Sequence, residues 1–353
     1  MTEKSRNPLI WVKGFATHLA THIWWHLPIK RERRKHIKDF VFTRLGFLFS
    51  STKMYRCWQE AKLLSGITYN DNGIDYPEHW PKLVEHKKLL KSPVAPVEVN
   101  KNPIESIAII VHAFYGEILK EMLEYLSPHS KISCKLFVTS PQEKVHEISE
   151  ILKNYPINSE FLVTENRGRD VLPFLKTSRI AIDQGFNLIL KLHTKKSDHR
   201  MTGSIWRKEI FDSLLPGKAM ERIVSYYNSN PNIGILGPAG HIVPMNLYYG
   251  ANAKGIGYLC RQLGVDTHEL ENMFFVAGSM FYSRKEALLP LLELNLPDTI
   301  FEFEAGQLDG TMAHAYERAF SISNFAAGLK LVDSKFDPRK PNPTITTDHR
   351  FTW

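Results

Sequence analysis

The chain has 353 residues, of which 43% are hydrophobic and 23% are charged, and its formal net charge is +8. A chain of this length and composition can bury a large core, which excludes intrinsic disorder and predicts one large domain with an appendage, or two domains. Its three cysteines are too few and too far apart for a disulfide framework or a cysteine-built zinc site, so a reducing compartment is expected.

No stretch of the sequence reaches 18 uncharged apolar residues, which argues against a transmembrane helix. The apolar stretch at residues 9–29 contains Lys13 and three histidines and lacks a small-residue cleavage site, so it does not resemble a signal peptide. We therefore expect a protein on the cytoplasmic side of the membrane.

Residues 1–70 are predicted to form a basic amphipathic helical region. Five apolar residues recur at helical spacing on one face, namely Ile37, Phe40, Val41, Leu45 and Leu48. Seven Lys and Arg residues between Lys30 and Arg44 stand against two acidic residues, a local charge of 7 − 2 = +5. Trp11, Trp24 and Trp25 flank this helix.

Two interpretations of this basic region stay open. Its helices could lie on anionic lipid, as in a peripheral protein at the inner face of the plasma membrane. They could instead form a cap whose apolar face packs on the next domain and whose basic face is solvated. Nucleic-acid binding is not expected, because no groove-reading or base-stacking module accompanies the charge.

Residues 71–103 hold five prolines between short apolar pieces and are predicted to be a linker. From Ile104 onward, β-like runs alternate with helical stretches such as Glu117–Leu126 and Glu143–Asn154. The predicted strands are Ile107–His112, Lys135–Thr139, Phe161–Thr164, Leu188–Leu192 and Ile233–Gly237. This alternation predicts an α/β domain over residues 104–353, with a mostly parallel central sheet covered by helices on both faces. Ligands of such sheets bind beyond the carboxyl ends of the strands.

Three polar segments follow predicted strands and are candidates for that binding edge. The first holds Asn166, Arg167, Gly168, Arg169 and Asp170. Its two arginines would suit a phosphate or the ribose hydroxyls of a nucleotide, although Asp170 could be only the N-cap of the helix that follows.

The second polar segment is His193, Thr194, Lys195 and Lys196. Cationic groups at the end of a buried strand are unfavourably desolvated unless an anion offsets them, which makes a diphosphate the natural candidate. The alternative is a surface lysine pair that merely ends the strand.

The third segment places Glu302, Glu304 and Asp309 within eight residues beside a glycine turn, as a general base requires. His314 and Arg318 follow on one face of a helix. Capping by Asp309 and a surface His314 are the alternatives. Upstream, Phe274–Tyr282 is predicted to be a strand in which Gly278 and Ser279 allow a ligand or another backbone to approach closely, unless they form a bulge.

Four segments carry a resemblance to a known family: ENRGRDVLPFL (165–175), LILKLHTKKS (188–197), AGSMFYSRKEALLPLL (277–292) and FEFEAGQLDGTMAHAYERAF (301–320). They resemble the rhamnan synthesis protein F family of polysaccharide and lipopolysaccharide biosynthesis, from about Ile104 to the C-terminus. The resemblance implies a GT-A-like glycosyltransferase. Such an enzyme moves a sugar, such as rhamnose, from a nucleotide diphosphate sugar to a lipid-linked growing glycan such as O-antigen, capsule or rhamnan.

The resemblance also implies roles for individual residues. Asp170 matches a nucleotide-holding position, and Asp309 matches the base of an inverting displacement, with Glu302 and Glu304 as alternatives. Lys195, His193, His314 and Arg318 would then stabilise the leaving diphosphate. Many GT-A enzymes hold a metal through a DxD motif, and here His193–Lys196 occupy that place. No cofactor is therefore assigned, and a divalent metal is compatible with the family but not expected.

Two rival functions use the same residues. A polyol-phosphate or sugar-phosphate transferase would use the cationic pocket but would release a nucleoside monophosphate. A non-catalytic glycan-binding subunit of a synthesis complex would bind no nucleotide sugar.

Overall fold

The computed structural model describes residues 29–65, 76–83, 88–93, 95, 98–100, 102–126, 131–155, 157–195 and 203–337. The three N-terminal tryptophans and Lys196 lie outside these ranges. The chain divides into two compact units, Met1–Thr52 and Lys53–Trp353. The division into a helical region 1–70, a linker 71–103 and a domain 104–353 stays a prediction.

The described part of the first unit contains helix α1 (Arg31–Phe49). Its existence confirms the helical periodicity, but Leu45 leaves the helical conformation, with φ −121° and ψ 16°. The predicted continuous apolar stripe is therefore interrupted, because a kink changes the rotation of every later residue about the axis. The exposed large apolar side chains of α1 are Ile37, Phe40, Leu45, Phe47 and Leu48.

Within the described residues, none of the helices combines the length and the apolar character needed to cross a membrane.

The second unit alternates helices and strands. Its described helices are α2 (Lys53–Ser65), α3 (Gly116–Tyr125), α4 (Val145–Lys153), α5 (Val171–Asp183), α6 (Gly203–Leu214), α7 (Gly217–Ser229), α8 (Ala253–Leu263), α9 (Lys285–Leu292) and α10 (Met312–Ala326). Its described strands are β1 (Ser106–His112), β2 (Ser133–Pro141), β3 (Ser159–Thr164), β4 (Leu188–His193), β5 (Ile233–Gly237), β6 (Ile242–Pro244), β7 (Phe274–Val276), β8 (Phe281–Arg284) and β9 (Lys330–Asp333). The five strands predicted from the apolar runs are all present.

Seven strands form one sheet in the order β3-β2-β1-β4-β8-β5-β9, and β6 pairs with β7 separately. Every neighbour in the large sheet is parallel except β8, which is antiparallel to β4 and to β5. This confirms a mostly parallel central sheet. The carboxyl ends of β1 to β4 consequently lie along one edge, where the polar segments after β3 and β4 meet.

The prediction of one interrupted strand over Phe274–Tyr282 is wrong. The chain forms β7 and β8 in different sheets, because Gly278 and Ser279 both take a left-handed conformation, with φ of 84° and 56°. Two consecutive left-handed residues reverse the direction of the chain and end the first strand.

Alternate residues of β1 pack in two separate hydrophobic cores, one on each face of the sheet. Ile107, Ile109 and Val111 face one core, and Ala108 and Ile110 face the other. The first core is closed by buried residues of α3, α4, α6 and α7, and the second by residues of α5, α8, α9 and α10. Helices thus cover both faces, as the sequence predicts.

Candidate active site

A buried ion pair lies beneath the carboxyl edge of the sheet. Lys191 of β4 is only 1% exposed, and its ammonium donates to the Asp170 carboxylate and to the Ser279 carbonyl, the latter at 3.0 Å. Asp170 occupies the N-cap position of α5 but makes no capping bond through its side chain, so the interpretation of Asp170 as only a cap is wrong. Burial alone would raise the pKa of Asp170, but Lys191 outweighs it and holds that pKa far below its usual range.

His193 ends β4 and is held in one tautomer by its two neighbours. Its Nε2 lies 2.8 Å from the Gly278 carbonyl oxygen, which can only accept, and its Nδ1 lies 3.2 Å from the Lys195 backbone N–H, which can only donate. The ring is therefore neutral, with the proton on Nε2. Burial and the nearby Lys191 lower the pKa of His193, although Asp170 opposes the shift.

The turn at Gly278 and Ser279 is fixed from several directions. The Gly278 N–H donates to Glu317 Oε1 at 2.8 Å, and a Cβ at position 278 would lie 2.4 Å from the Trp206 ring. The neighbour that approaches Gly278 closely is thus an indole side chain, whereas the sequence-based prediction named a ligand or another backbone. Ser279 is 5% exposed, and its hydroxyl has no hydrogen-bond partner among the described residues.

Arg169 also takes a left-handed conformation, with φ 56°, in the turn before α5. Its Nη1 donates to the Gln307 carbonyl and to His314 Nε2, each at 2.9 Å, and its Nε lies 3.2 Å from Glu304 Oε2. A non-glycine residue in this conformation is held there by its surroundings, here by contacts to the loop before α10.

His314 must be neutral in this arrangement. Arginine has no acceptor, so His314 Nε2 accepts from Arg169, and the ring proton sits on Nδ1, which donates to the Thr311 hydroxyl at 2.7 Å. Burial and the charge of Arg169 lower the pKa of His314 to about 4. The structure therefore does not support His314 as a cationic contact for a diphosphate.

Lys195 follows β4 and is exposed. Among the described residues its ammonium has neither an ion-pair nor a hydrogen-bond partner, although Arg169, Asp170, Glu304 and Glu317 lie within electrostatic range. Although the side chain as a whole is exposed, desolvation of its ammonium by neighbouring protein atoms and the charge of Arg169 lower the pKa of Lys195. Lys195 and Arg169 thus lie within electrostatic range of each other at the edge of the sheet.

Arg318 is engaged inside the protein. Its guanidinium donates to Glu317 Oε2 at 2.7 Å, to the His314 carbonyl at 2.9 Å and to the Tyr248 carbonyl at 3.1 Å. It also lies 4.6 Å from the centre of the Phe275 ring. These contacts favour a structural role for Arg318 over the predicted contact with a diphosphate.

The three predicted carboxylates have different surroundings. Glu302 accepts from the Met312 N–H at 2.9 Å and so caps α10, whereas Glu304 pairs with Arg169. Asp309 accepts from the Ala251 N–H at 2.9 Å and from Asn252 Nδ2 at 2.7 Å. Burial opposes the shift, but these two hydrogen bonds lower the pKa of Asp309. A base weakened in this way, which also ties two loops together, is better suited to anchoring than to proton abstraction.

The remaining predicted residues lie around this centre. Asn166 is bonded to Glu143 at 3.0 Å, and Arg167 lies over the Phe303 ring at 3.6 Å and donates to the Phe301 carbonyl. The Thr194 hydroxyl accepts from the Phe114 and Tyr115 N–H groups and so fixes the loop after β1. Gly168, with φ 66°, starts the turn that presents Arg169.

Three residues of the centre are absent from the sequence-based prediction. Lys191 and Glu317 lie inside the segments that carry the resemblance, and a lysine flanked by leucines in a buried strand is a usable signal for the first. His112 ends β1 opposite His193 in register, and burial lowers its pKa to about 4. A polar residue closing an apolar run is a signal that could have identified it.

No three His, Cys, Asp or Glu side chains of the described residues converge as ligands for a metal ion.

The sequence model of a family described as rhamnan synthesis protein F matches residues 66–328. The chain belongs to the rhamnan synthesis protein F family. Membership of the rhamnan synthesis protein F family indicates a role in polysaccharide synthesis. The matched range includes all the polar segments of the candidate site, from Asn166 to Arg318.

Curated relatives of this family member include two proteins from different strains of Xanthomonas campestris pv. campestris, each named uncharacterized protein WxcX. Each is 39% identical over 230 residues, which is 64% of this chain and 32% of the relative. The match thus covers about a third of the length of these relatives. Among solved structures, the 4-diphosphocytidyl-2C-methyl-D-erythritol synthase of Anaerococcus prevotii is 12% identical with a TM-score of 0.34, covering 70% of this chain and 96% of that one, a similarity too low to carry an inference.

Proposed function

We propose that the α/β unit is a GT-A-like glycosyltransferase that moves a sugar from a nucleotide diphosphate sugar to a growing surface glycan on a lipid carrier. Rhamnose is one sugar that the family description suggests. The family membership and the mostly parallel sheet support this proposal, and the observation that carries it is the pair formed by Lys195 and Arg169.

These two cations repel one another, and Lys195 has no acidic partner among the described residues. Glu304 already pairs with Arg169, whereas the Lys195 ammonium has no ion-pair partner among the described residues and is available to an anion at the carboxyl edge of the sheet. A diphosphate supplies two adjacent anionic groups, which matches two cations better than a single carboxylate does.

In the proposed reaction, an acceptor hydroxyl attacks the anomeric carbon, and the bond to the diphosphate oxygen breaks with inversion. Lys195 and Arg169 stabilise the charge that develops on the leaving nucleoside diphosphate. Asp170, kept ionised by Lys191, offers its remaining carboxylate oxygen to the hydroxyls of the nucleotide. Among the three candidate bases, Glu304 ranks first as the acceptor of the hydroxyl proton, because it lies beside Arg169, whereas Glu302 caps α10 and Asp309 anchors two loops.

Lys195 gives the direct test. Replacing Lys195 by Gln should weaken the binding of nucleoside diphosphates roughly 10- to 100-fold, since a charge-assisted hydrogen bond contributes about 1.5–3 kcal/mol. Calorimetric titration with a panel of nucleoside diphosphates measures this effect. Lys195→Arg is the matched control that keeps the charge, and equal affinity of wild type and Lys195→Gln contradicts the proposal.

The nucleotide released during turnover separates this activity from its rivals. Transfer of a sugar releases a nucleoside diphosphate, whereas transfer of a sugar phosphate or polyol phosphate releases a nucleoside monophosphate. Failure to bind any nucleotide sugar would favour the non-catalytic glycan-binding subunit.

We also propose that the first unit contacts an anionic membrane surface and so places the enzyme as a peripheral protein near its lipid-linked acceptor. The support is the combination of exposed Phe40, Phe47 and Leu48 with exposed Arg33 and Arg44 on α1. Exposed aromatic and basic side chains on one helix are typical of helices that lie at a lipid interface. Nucleic acid is not proposed as a partner.

A further inference from the structure

The two histidines of the site each contact one of its two cationic residues. His314 Nε2 accepts from the guanidinium of Arg169 at 2.9 Å, and His193 Nδ1 accepts from the backbone N–H of Lys195 at 3.2 Å. In each case the opposite ring nitrogen is fixed by a second partner, the Thr311 hydroxyl for His314 and the Gly278 carbonyl for His193.

From these contacts we infer that His193 and His314 are positioning residues: neutral rings that hold Lys195 and Arg169 as a two-cation site for a diphosphate, without touching the diphosphate themselves. The inference rests on the proposed function. It changes which residues are expected to supply the positive charge that contacts the diphosphate. It assigns anion contact to Lys195 and to the outer face of Arg169.

Protonated rings at His193 and His314 are incompatible with the hydrogen bonds that the two side chains make. A proton on His314 Nε2 would point at a guanidinium, which has only donors, and a proton on His193 Nδ1 would point at a backbone N–H. Either change would break the contact that orients the cationic residue.

The charges around each ring agree with this assignment. Arg169 and Lys195 disfavour a charge on His314, against Glu317 and Asp309, while Lys191 and Lys195 disfavour one on His193, against Asp170. Burial disfavours the charged form of both rings. Both rings are thus neutral, so neither adds a further positive charge beside Arg169 and Lys195.

The arrangement also explains why Arg169 tolerates a left-handed conformation. Its Nε and Nη1 are taken by Glu304, Gln307 and His314, so the guanidinium is oriented before any ligand arrives. A cationic group fixed in advance binds an anion without the entropy loss of ordering a long side chain. Loss of His314 should therefore weaken anion binding through Arg169.

A double-mutant cycle on inorganic pyrophosphate and a nucleoside diphosphate tests the link between His314 and Arg169. We expect His314→Phe, which keeps the ring but removes the acceptor, to weaken binding roughly 10-fold. His314→Gln, which restores an acceptor, should remain within about 3-fold of wild type. His314→Phe combined with Arg169→Gln should bind no more weakly than Arg169→Gln alone, because both changes remove the same contribution.

Thermal midpoints of all variants show whether each variant keeps its fold. If His314→Phe loses binding because it unfolds, the test relies on the affinity of His314→Gln instead. Factors that multiply in the double variant overturn the inference, because His314 would then act independently of Arg169. A wild-type protein that binds neither ligand overturns the proposed function instead.

Nitrogen-15 NMR of histidine-labelled protein provides a second readout that a merely structural role does not specify. We expect opposite neutral tautomers, with the proton on Nε2 of His193 and on Nδ1 of His314, at pH 7 and unchanged after pyrophosphate is added. Protonation of either ring on addition of pyrophosphate would mean that the histidine contacts the anion directly, and would overturn the inference.

Discussion

At the residue scale, Lys191 is a charged group placed in an aromatic core. Its ammonium lies 5.3 Å from the centre of the Phe174 ring and 5.9 Å from that of Phe320, with Asp170 as its ionic partner. Buried ion pairs contribute little net stability, because desolvation offsets the attraction, and apolar residues of similar volume often serve equally well. The pair is better explained by what it orients: the Asp170 carboxylate and the turn at Ser279.

Substitution of Asp309 distinguishes an anchoring role of its carboxylate from a catalytic role. Asp309→Asn replaces one acceptor oxygen by an amide that faces the Ala251 N–H or Asn252 Nδ2. We expect the free energy of unfolding to fall by about 1–3 kcal/mol, the usual effect of an unsatisfied buried group. Turnover of the folded protein should fall by less than about 10-fold. Chemical denaturation and steady-state kinetics on the same preparation measure both quantities.

Glu302→Gln is the matched control for this substitution, because its amide oxygen still accepts from the Met312 N–H. A loss of turnover of about 10²–10⁴-fold in Asp309→Asn at unchanged stability would instead identify Asp309 as the general base.

The roles of these residues were only partly predictable from sequence. The predicted segments converge, because the ends of parallel strands share one edge of a sheet. The partners of Asp309, Ala251 and Asn252, lie 57–58 positions away along the chain, and no local pattern reveals such a contact. The neutrality of His314 likewise depends on Arg169, which is 145 positions distant.

At the element scale, the strands β1 to β5 were predictable because each is a short apolar run that ends at polar or turn-forming residues. It failed at Phe274–Tyr282, where two left-handed residues send β7 and β8 into different sheets. Glycine before serine is compatible with either a bulge or a turn, and only the contacts of Trp206, Glu317 and Lys191 decide between them.

The exposed basic residues of helix α1 lead to a prediction about vesicle binding. Removing two of its exposed positive charges with Arg33→Gln and Arg44→Gln should weaken binding to phosphatidylserine-containing vesicles by about 2 kcal/mol, or roughly 30-fold, since each basic residue near such a surface contributes about 1 kcal/mol. Binding of the wild type should also weaken as salt is raised. Vesicle co-sedimentation across a salt series measures both effects.

The matched control removes the same charge from the second unit, at exposed Lys218 and Lys330, by substitution with Gln. If both double variants lose vesicle binding equally, the attraction comes from net charge and not from α1.

At the scale of the whole molecule, the protein keeps several buried imidazoles neutral. Burial lowers the pKa of His112, His241 and His314 to about 4 in each case. His112 ends β1, His241 precedes β6 and His314 lies on α10, so these groups are spread over the second unit. Their titration therefore reports on the stability of that unit and not on one loop.

The direction of the pH effect follows from proton uptake. An imidazole in an unfolded chain binds a proton near pH 6.5, whereas these three in the folded protein bind one only near pH 4. Between those values the unfolded chain holds more protons, so the free energy of unfolding should be constant above about pH 6.5 and fall as the pH drops toward 4. The steepest slope that three groups allow is about 4 kcal/mol per pH unit.

Urea denaturation at a series of pH values from 8 down to 5 measures this slope. His241→Gln should reduce the slope by the contribution of one proton, about 1.4 kcal/mol per pH unit. The same substitution at an exposed position, His146→Gln, is the matched control. The low pKa of Asp170 and Asp309 adds a further loss of stability only at more acidic pH, because those carboxylates must first be protonated. A free energy of unfolding that stays constant down to pH 5 would mean that these histidines are protonated in the folded protein. The inference that the rings at the site are neutral would then be contradicted as well.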